Sequence, residues 1–95
     1  MSKKILVVDD DELVLIAIRE LLTPVGFAVT TSPNGRDALE KTASDQFDLV
    51  ILDVIMPEMD GFEVCQQIRQ IASYAETPVM MLTAIILSYS YLERF

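Results

Sequence analysis

Four residues able to do phosphate or metal chemistry, Asp9, Asp10, Asp53 and Thr83, all lie at the ends of apolar runs. Residues 5–8 (ILVV) lead into Asp9-Asp10, residues 48–54 (DLVILDV) carry Asp53, and residues 77–83 (TPVMMLT) end in Thr83. If these runs are neighbouring strands pointing the same way, three carboxylates and a hydroxyl meet at one edge of a sheet. Carboxylates held that close repel, and one takes up a proton unless a cation intervenes. All-oxygen donors suit a hard cation such as Mg²⁺. A carboxylate beside such an ion can act as a nucleophile towards a phosphoryl group, and the ion offsets the charge that builds on the transferring oxygens. The Thr83 hydroxyl is placed to hydrogen-bond one of those oxygens. A single acid after an apolar strand is more often the solvated start of a loop or a helix cap, which is the reading for Asp11 and Glu12. Three acids from separate strand ends point to a site.

The elements that must position these groups are legible as patterns. The run at 5–8 is β-branched and unalternating, as in a strand buried on both faces. Residues 11–22 (DELVLIAIRELL) follow as a helix, with Leu13, Ile16, Ala17 and Leu21 on the face expected to turn inward, and Pro24 and Gly26 ending it. FAVTT (27–31) predicts a second strand and SPNG (32–35) a turn. Residues 35–44 predict a helix with Ala38, Leu39 and Ala43 inward. A third strand at 48–54 precedes a loop, MPEMDG (56–61), in which Asp60-Gly61 opens the next helix. That helix, 62–71, carries Val64, Cys65, Ile68 and Ile71 on one stripe, and a fourth strand follows at 77–83. The alternating order βαβαβαβ implies a parallel sheet with helices on both faces. In such a fold the ligand site lies beyond the carboxyl ends of the strands, at a switch in strand order.

Composition narrows the function. Ninety-five residues make one domain, and the net charge of −8 argues against nucleic acid or an anionic membrane as a partner. It suits a partner with a basic face, or a bound cation. The chain has no histidine, which excludes histidine acid–base catalysis and histidine-ligated metal within it. Its single cysteine, Cys65, reads as a small core residue, and a reduced cytoplasmic setting is expected. The first apolar run is too short for a signal peptide, and no segment reaches the roughly 18 apolar residues of a membrane span.

The chain resembles the receiver domain of bacterial two-component response regulators, a flavodoxin-like α/β fold. The resemblance is carried by KILVVDDDE at 4–12, PNGRDALE at 33–40, DLVILDVIMPEMDGFEV at 48–64 and TPVMMLTA at 77–84. It implies that Asp53 is the phosphoacceptor. Asp10 and the backbone carbonyl of Ile55 would be direct Mg²⁺ ligands, with Asp9 acting through water. Thr83 would be the switch hydroxyl, and Ala84 the small residue that leaves it access. The implied donor is a phosphohistidine on a histidine kinase or phosphotransfer protein, or a small acyl phosphate. No catalysis is implied beyond self-phosphorylation and self-dephosphorylation. Haloacid-dehalogenase-like phosphatases also use a strand-end aspartate with Mg²⁺, but they need an acid two residues later. Ile55 stands there and cannot move a proton.

The pattern is lost after Ala84. The expected division is a partial receiver domain at 1–84 and an apolar tail at 85–95, with the fourth helix altered and the fifth strand and helix missing. Lys3, Lys4 and Lys41 are the only lysines, and none falls where the family places one on its fifth strand. The 12 residues after Thr83 are too few for a crossover and a further parallel strand. Topology favours a helix for the tail. The alternation of LSYSYL favours a strand exchanged with a second copy. Self-association through strand four or the tail is expected, as is weakened switching. The alternative is a non-signalling interaction module or an inactive receiver fragment.

Overall fold

The structure, a computed structural model, describes residues 2–82. The expectations for Thr83, Ala84, the domain boundary at 84 and the tail at 85–95 lie outside the described residues. Four strands, β1 (Lys4–Val8), β2 (Ala28–Ser32), β3 (Leu49–Leu52) and β4 (Val79–Met81), alternate with three helices, α1 (Glu12–Leu22), α2 (Gly35–Ser44) and α3 (Gly61–Arg69). All strand pairs are parallel, in the order β2-β1-β3-β4. The order reverses between β1 and β3, and the predicted parallel α/β architecture is the one observed.

Ile5, Leu6, Val7 and Val8 are all buried, because side chains on both faces of β1 meet a helical layer. On one face Leu6, Val8, Val50 and Leu52 pack with Ala38 of α2, Val64 and Ile68 of α3, and Tyr74. On the other, Ile5, Val7 and Ile51 pack with Leu15 of α1. Each such aliphatic side chain contributes roughly 1.5–3 kcal/mol on burial.

The inward face of α1 differs from the expected one. Leu13, Ile16, Ala17 and Leu21 are exposed, while Leu15 is buried and Ile18 and Leu22 pack against the sheet. Leu15 and Leu22, outside that expected face, are thus the residues that meet the core. The helix is apolar nearly all round, so its periodicity does not choose a face; the sheet does. In α2 the buried positions are Gly35, Ala38 and Thr42, with Ala43 exposed. Thr42 is tolerated inside because its hydroxyl donates to the Leu39 carbonyl at 3.0 Å. The stripe predicted for α3 is the observed one, with Cys65 and Ile71 packed on the core.

Helix starts are fixed by side-chain caps. Asp11, Asn34 and Asp60 accept from the backbone N–H of Leu13, Asp37 and Glu63 respectively. At the amino edge of the sheet, the Phe47 N–H donates to the Tyr74 hydroxyl at 3.0 Å, and that hydroxyl donates to the Asp45 carbonyl at 2.6 Å. This ties the loop entering β3 to the turn after α3.

Candidate functional site

The acids are delivered by hydrogen bonding that continues one residue past the strands. Asp53 N–H donates to the Val8 carbonyl at 2.9 Å, extending the β1–β3 pairing, and Asp9 N–H donates to the Ser32 carbonyl at 3.1 Å, extending β1–β2. Leu82 N–H likewise donates to the Leu52 carbonyl at 2.9 Å. Asp9, Asp10 and Asp53 each bring a carboxylate oxygen to within 4.8 Å of the others. The convergence predicted from the strand ends is thus present for all three acids.

Their environments differ. Asp9 is only 4% exposed and accepts from the Asp11 N–H at 2.8 Å. Burial pushes its carboxyl up to about 6; the Asp11 N–H opposes this, and the charges of Asp53 and Asp10 add to it. The Asp53 carboxyl is also raised, first by burial and then by the charge of Asp10, against the N–H groups of Ile55 and Val54, which favour its ionised form. Asp10 is exposed. The cluster therefore holds like charges at a cost that a bound cation would remove. With carboxylate oxygens and no nitrogen or sulfur donor in the cluster, the residues fit a hard divalent ion such as Mg²⁺. Ile55 has its side chain 77% exposed, and its carbonyl accepts no hydrogen bond among the described residues.

Glycine at 61 has a role beyond opening α3. Its N–H donates to the Val54 carbonyl at 2.8 Å. A Cβ there would run into the Asp53 carbonyl oxygen and sit 2.8 Å from the Val54 Cα. The N-terminus of α3 is thus pressed onto the backbone that carries Asp53, an approach only glycine permits. The sequence signalled a helix start here, and the close approach was missed. The loop between them is also tight. Glu58 has φ 68°, and Met59 N–H donates to the Pro57 carbonyl at 2.7 Å, closing a γ-turn of the strained kind.

Beside the cluster opens a cleft of about 610 Å³ lined by Asp10, Pro33, Asn34, Arg36, Pro57 and Glu58. Its wall at the end of β2 is braced by the buried Ser32, whose hydroxyl donates to Asp37 at 2.6 Å. Lys41 bridges Asp37 and the Thr31 carbonyl, each at 2.7 Å. Lys4 lies at the opposite edge, paired with Asp45.

The sequence pattern of the response regulator receiver domain matches residues 5–89. The chain belongs to this family. The alkaline phosphatase synthesis transcriptional regulatory protein PhoP of Bacillus subtilis is 44% identical over 84 residues, which are 88% of this chain and 34% of that protein. The receiver chain thus spans about a third of the length of the curated relatives it matches. The chemotaxis protein CheY4 of Vibrio cholerae superposes with a TM-score of 0.87 at 35% identity, covering 98% of this chain and 78% of that one. The response regulator TrrA of Thermotoga maritima, solved in complex with Mg²⁺-BeF, gives 0.72 at 29% identity, covering 97% and 96%. The fold is the flavodoxin-like one of receivers; receiver domains are in general signalling modules that interact with histidine kinases and phosphotransfer proteins. Among the described residues no helix is long and apolar enough to cross a membrane.

Proposed function

We propose that this receiver takes a phosphoryl group on Asp53 from a phosphohistidine of a kinase or phosphotransfer protein, or from a small acyl phosphate. The observation that carries the reading is the meeting of three carboxylates within 4.8 Å at the switch point of the sheet. A carboxylate oxygen of Asp53 forms the new bond to phosphorus. The bond from phosphorus to the donor's nitrogen or oxygen breaks, and the leaving group keeps the electron pair. Asp10, Asp53 and the Ile55 carbonyl would hold Mg²⁺, with Asp9 acting through water. The ion would supply charge neutralisation during transfer. That TrrA was solved with Mg²⁺-BeF supports this assignment. The N–H groups of Val54 and Ile55 favour the ionised form of the nucleophile. The Thr83 hydroxyl would meet the phosphoryl oxygens, with Ala84 leaving it access. A cytoplasmic workplace fits a partner kinase and the unpaired Cys65. The charge of −8 disfavours nucleic acid. Self-association through β4 or the tail belongs to the same reading, with light scattering as its check.

The test is the mass gained from acetyl phosphate. The wild type is expected to gain one phosphoryl group with Mg²⁺ and none with a chelator, and Asp53→Asn to gain none. Labelling of Asp53→Asn at the wild-type rate would remove Asp53 from the role.

A further inference from the structure

We infer that the cleft beside Asp10 is the docking site for the phosphoryl group of a small phosphodonor, and that Arg36 is the positioning residue that draws it in. The inference rests on the phosphoacceptor reading above and names what lies in front of it. A phosphodonor is an anion, and here it must approach three carboxylates on a chain of net charge −8. A divalent ion offsets only part of that repulsion, so a further cation at the approach is valuable.

The other cations among the described residues are engaged or misplaced. Lys4 pairs with Asp45 at the amino edge, and Lys41 with Asp37. Arg19 donates to Thr31, and Arg69 to the carbonyls of Tyr74 and Thr77. Lys3 immediately precedes β1, at the edge away from the acids. Arg36 makes no ion pair or side-chain hydrogen bond among the described residues, and it lines the cleft together with Asp10. Its guanidinium offers a planar fork of donors suited to phosphate oxygens. Glu58, also in the lining, works against an anion, so the two side chains have opposite predicted effects. A volume of about 610 Å³ suits a small molecule.

The experiment is Mg²⁺-dependent phosphorylation of the chain at varied concentrations of acetyl phosphate and, separately, phosphoramidate. Wild type, Arg36→Ala, Arg36→Lys and Glu58→Gln are compared at low and high salt. Arg36→Ala is expected to raise the half-saturating concentration of both donors about tenfold, the scale of one charge-assisted hydrogen bond. The maximal rate should stay within about twofold, since Arg36 stands outside the acid cluster. Arg36→Lys should recover part of the shift, Glu58→Gln should lower half-saturation, and high salt should shrink every difference. Half-saturation that is the same in wild type and Arg36→Ala overturns the inference alone. A shift with acetyl phosphate but not phosphoramidate also overturns it, because the grip would then be on the acyl group. No labelling of the wild type by either donor overturns the phosphoacceptor reading and this one with it.

Discussion

The two edges of one small sheet are built on opposite terms. At the amino edge the charged groups of Lys4, Asp45 and Asp48 are matched to one another. The backbone N–H of Lys4 donates to the Asp48 carboxylate at 2.7 Å, and the Lys4 carbonyl accepts from the Asp48 N–H at 2.7 Å. Its ammonium pairs with Asp45 and lies 5.4 Å from the centre of the Phe47 ring. The hydrogen bond from Lys4 holds the Asp45 carboxyl below the usual range. At the carboxyl edge the same strands end in three acids, and burial with mutual repulsion lifts the carboxyls of Asp9 and Asp53 above it. The difference locates the function. A fold this small can hold like charges together at one end because the other end is well paired and, among the described residues, no buried side-chain polar atom lacks a hydrogen-bond partner.

The largest expected effect comes from breaking the contact that supports the acid edge. Gly61→Val forces branched carbons into the Asp53 carbonyl, so either α3 or the Asp53 backbone must move. A loss of about 3 kcal/mol or more is expected in urea unfolding, with Mg²⁺ affinity falling as well. Wild-type stability in this variant would show that α3 does not press on the site.

Next in size is the pH dependence of the metal-free protein. Asp9 ionises near pH 6 when folded and near 3.8 when unfolded. Its contribution to stability is therefore full below pH 3.8 and is lost as pH rises through 6. At about 1.36 kcal/mol per unit this amounts to roughly 2–3 kcal/mol. Asp53 has a raised carboxyl and acts in the same sense, while Asp37 and Asp45, both lowered, act below this window. Thermal melts in chelator should thus show higher stability at pH 5 than at pH 7. Asp9→Asn should flatten the difference, and Mg²⁺ should restore stability at pH 7. A metal-free protein no less stable at pH 7 than at pH 5 would remove the frustration ascribed to this edge.

The acid edge was largely written in the sequence, because β-branched runs ending in Asp9, Asp10 and Asp53 fix both the strands and their direction. What the sequence hid depends on contacts between distant segments. The face of α1 could not be read from LVLIAI, where nearly every position is apolar and only packing on Ile5, Val7 and Ile51 selects Leu15. Gly61 looked like punctuation until its distance from Asp53 was known. Arg36 lies within PNGRDALE but no role was readable for it there, and its place in the cleft emerges only when the turn after β2 meets the loop after β3. Phe47 and Tyr74, separated by 27 positions, gave no periodic signal at all.

That last pair supplies the third prediction. Tyr74→Phe keeps the ring in the core but removes the hydroxyl that accepts from Phe47 and donates to Asp45. A buried N–H is left without a partner, and about 1–2 kcal/mol should be lost in urea unfolding. Phosphorylation of the folded fraction should be unchanged, since the acid edge is at the far end of the strands. A loss of phosphorylation out of proportion to stability would mean that the two edges are coupled.

The smallest effect separates charge from burial at the amino edge itself. In Lys4→Met the backbone bonds to Asp48 survive, and only the ammonium contacts with Asp45 and Phe47 are lost. The side chains of the ion pair are 39% and 48% exposed, so water already screens it, and a loss below about 1 kcal/mol is expected. The change should also be smaller at high salt, where the pair is weakened in the wild type. If Lys4→Met cost as much as Tyr74→Phe, the amino edge would be held by its charges. The expected ranking instead makes its buried hydrogen bonds the counterweight to the acids.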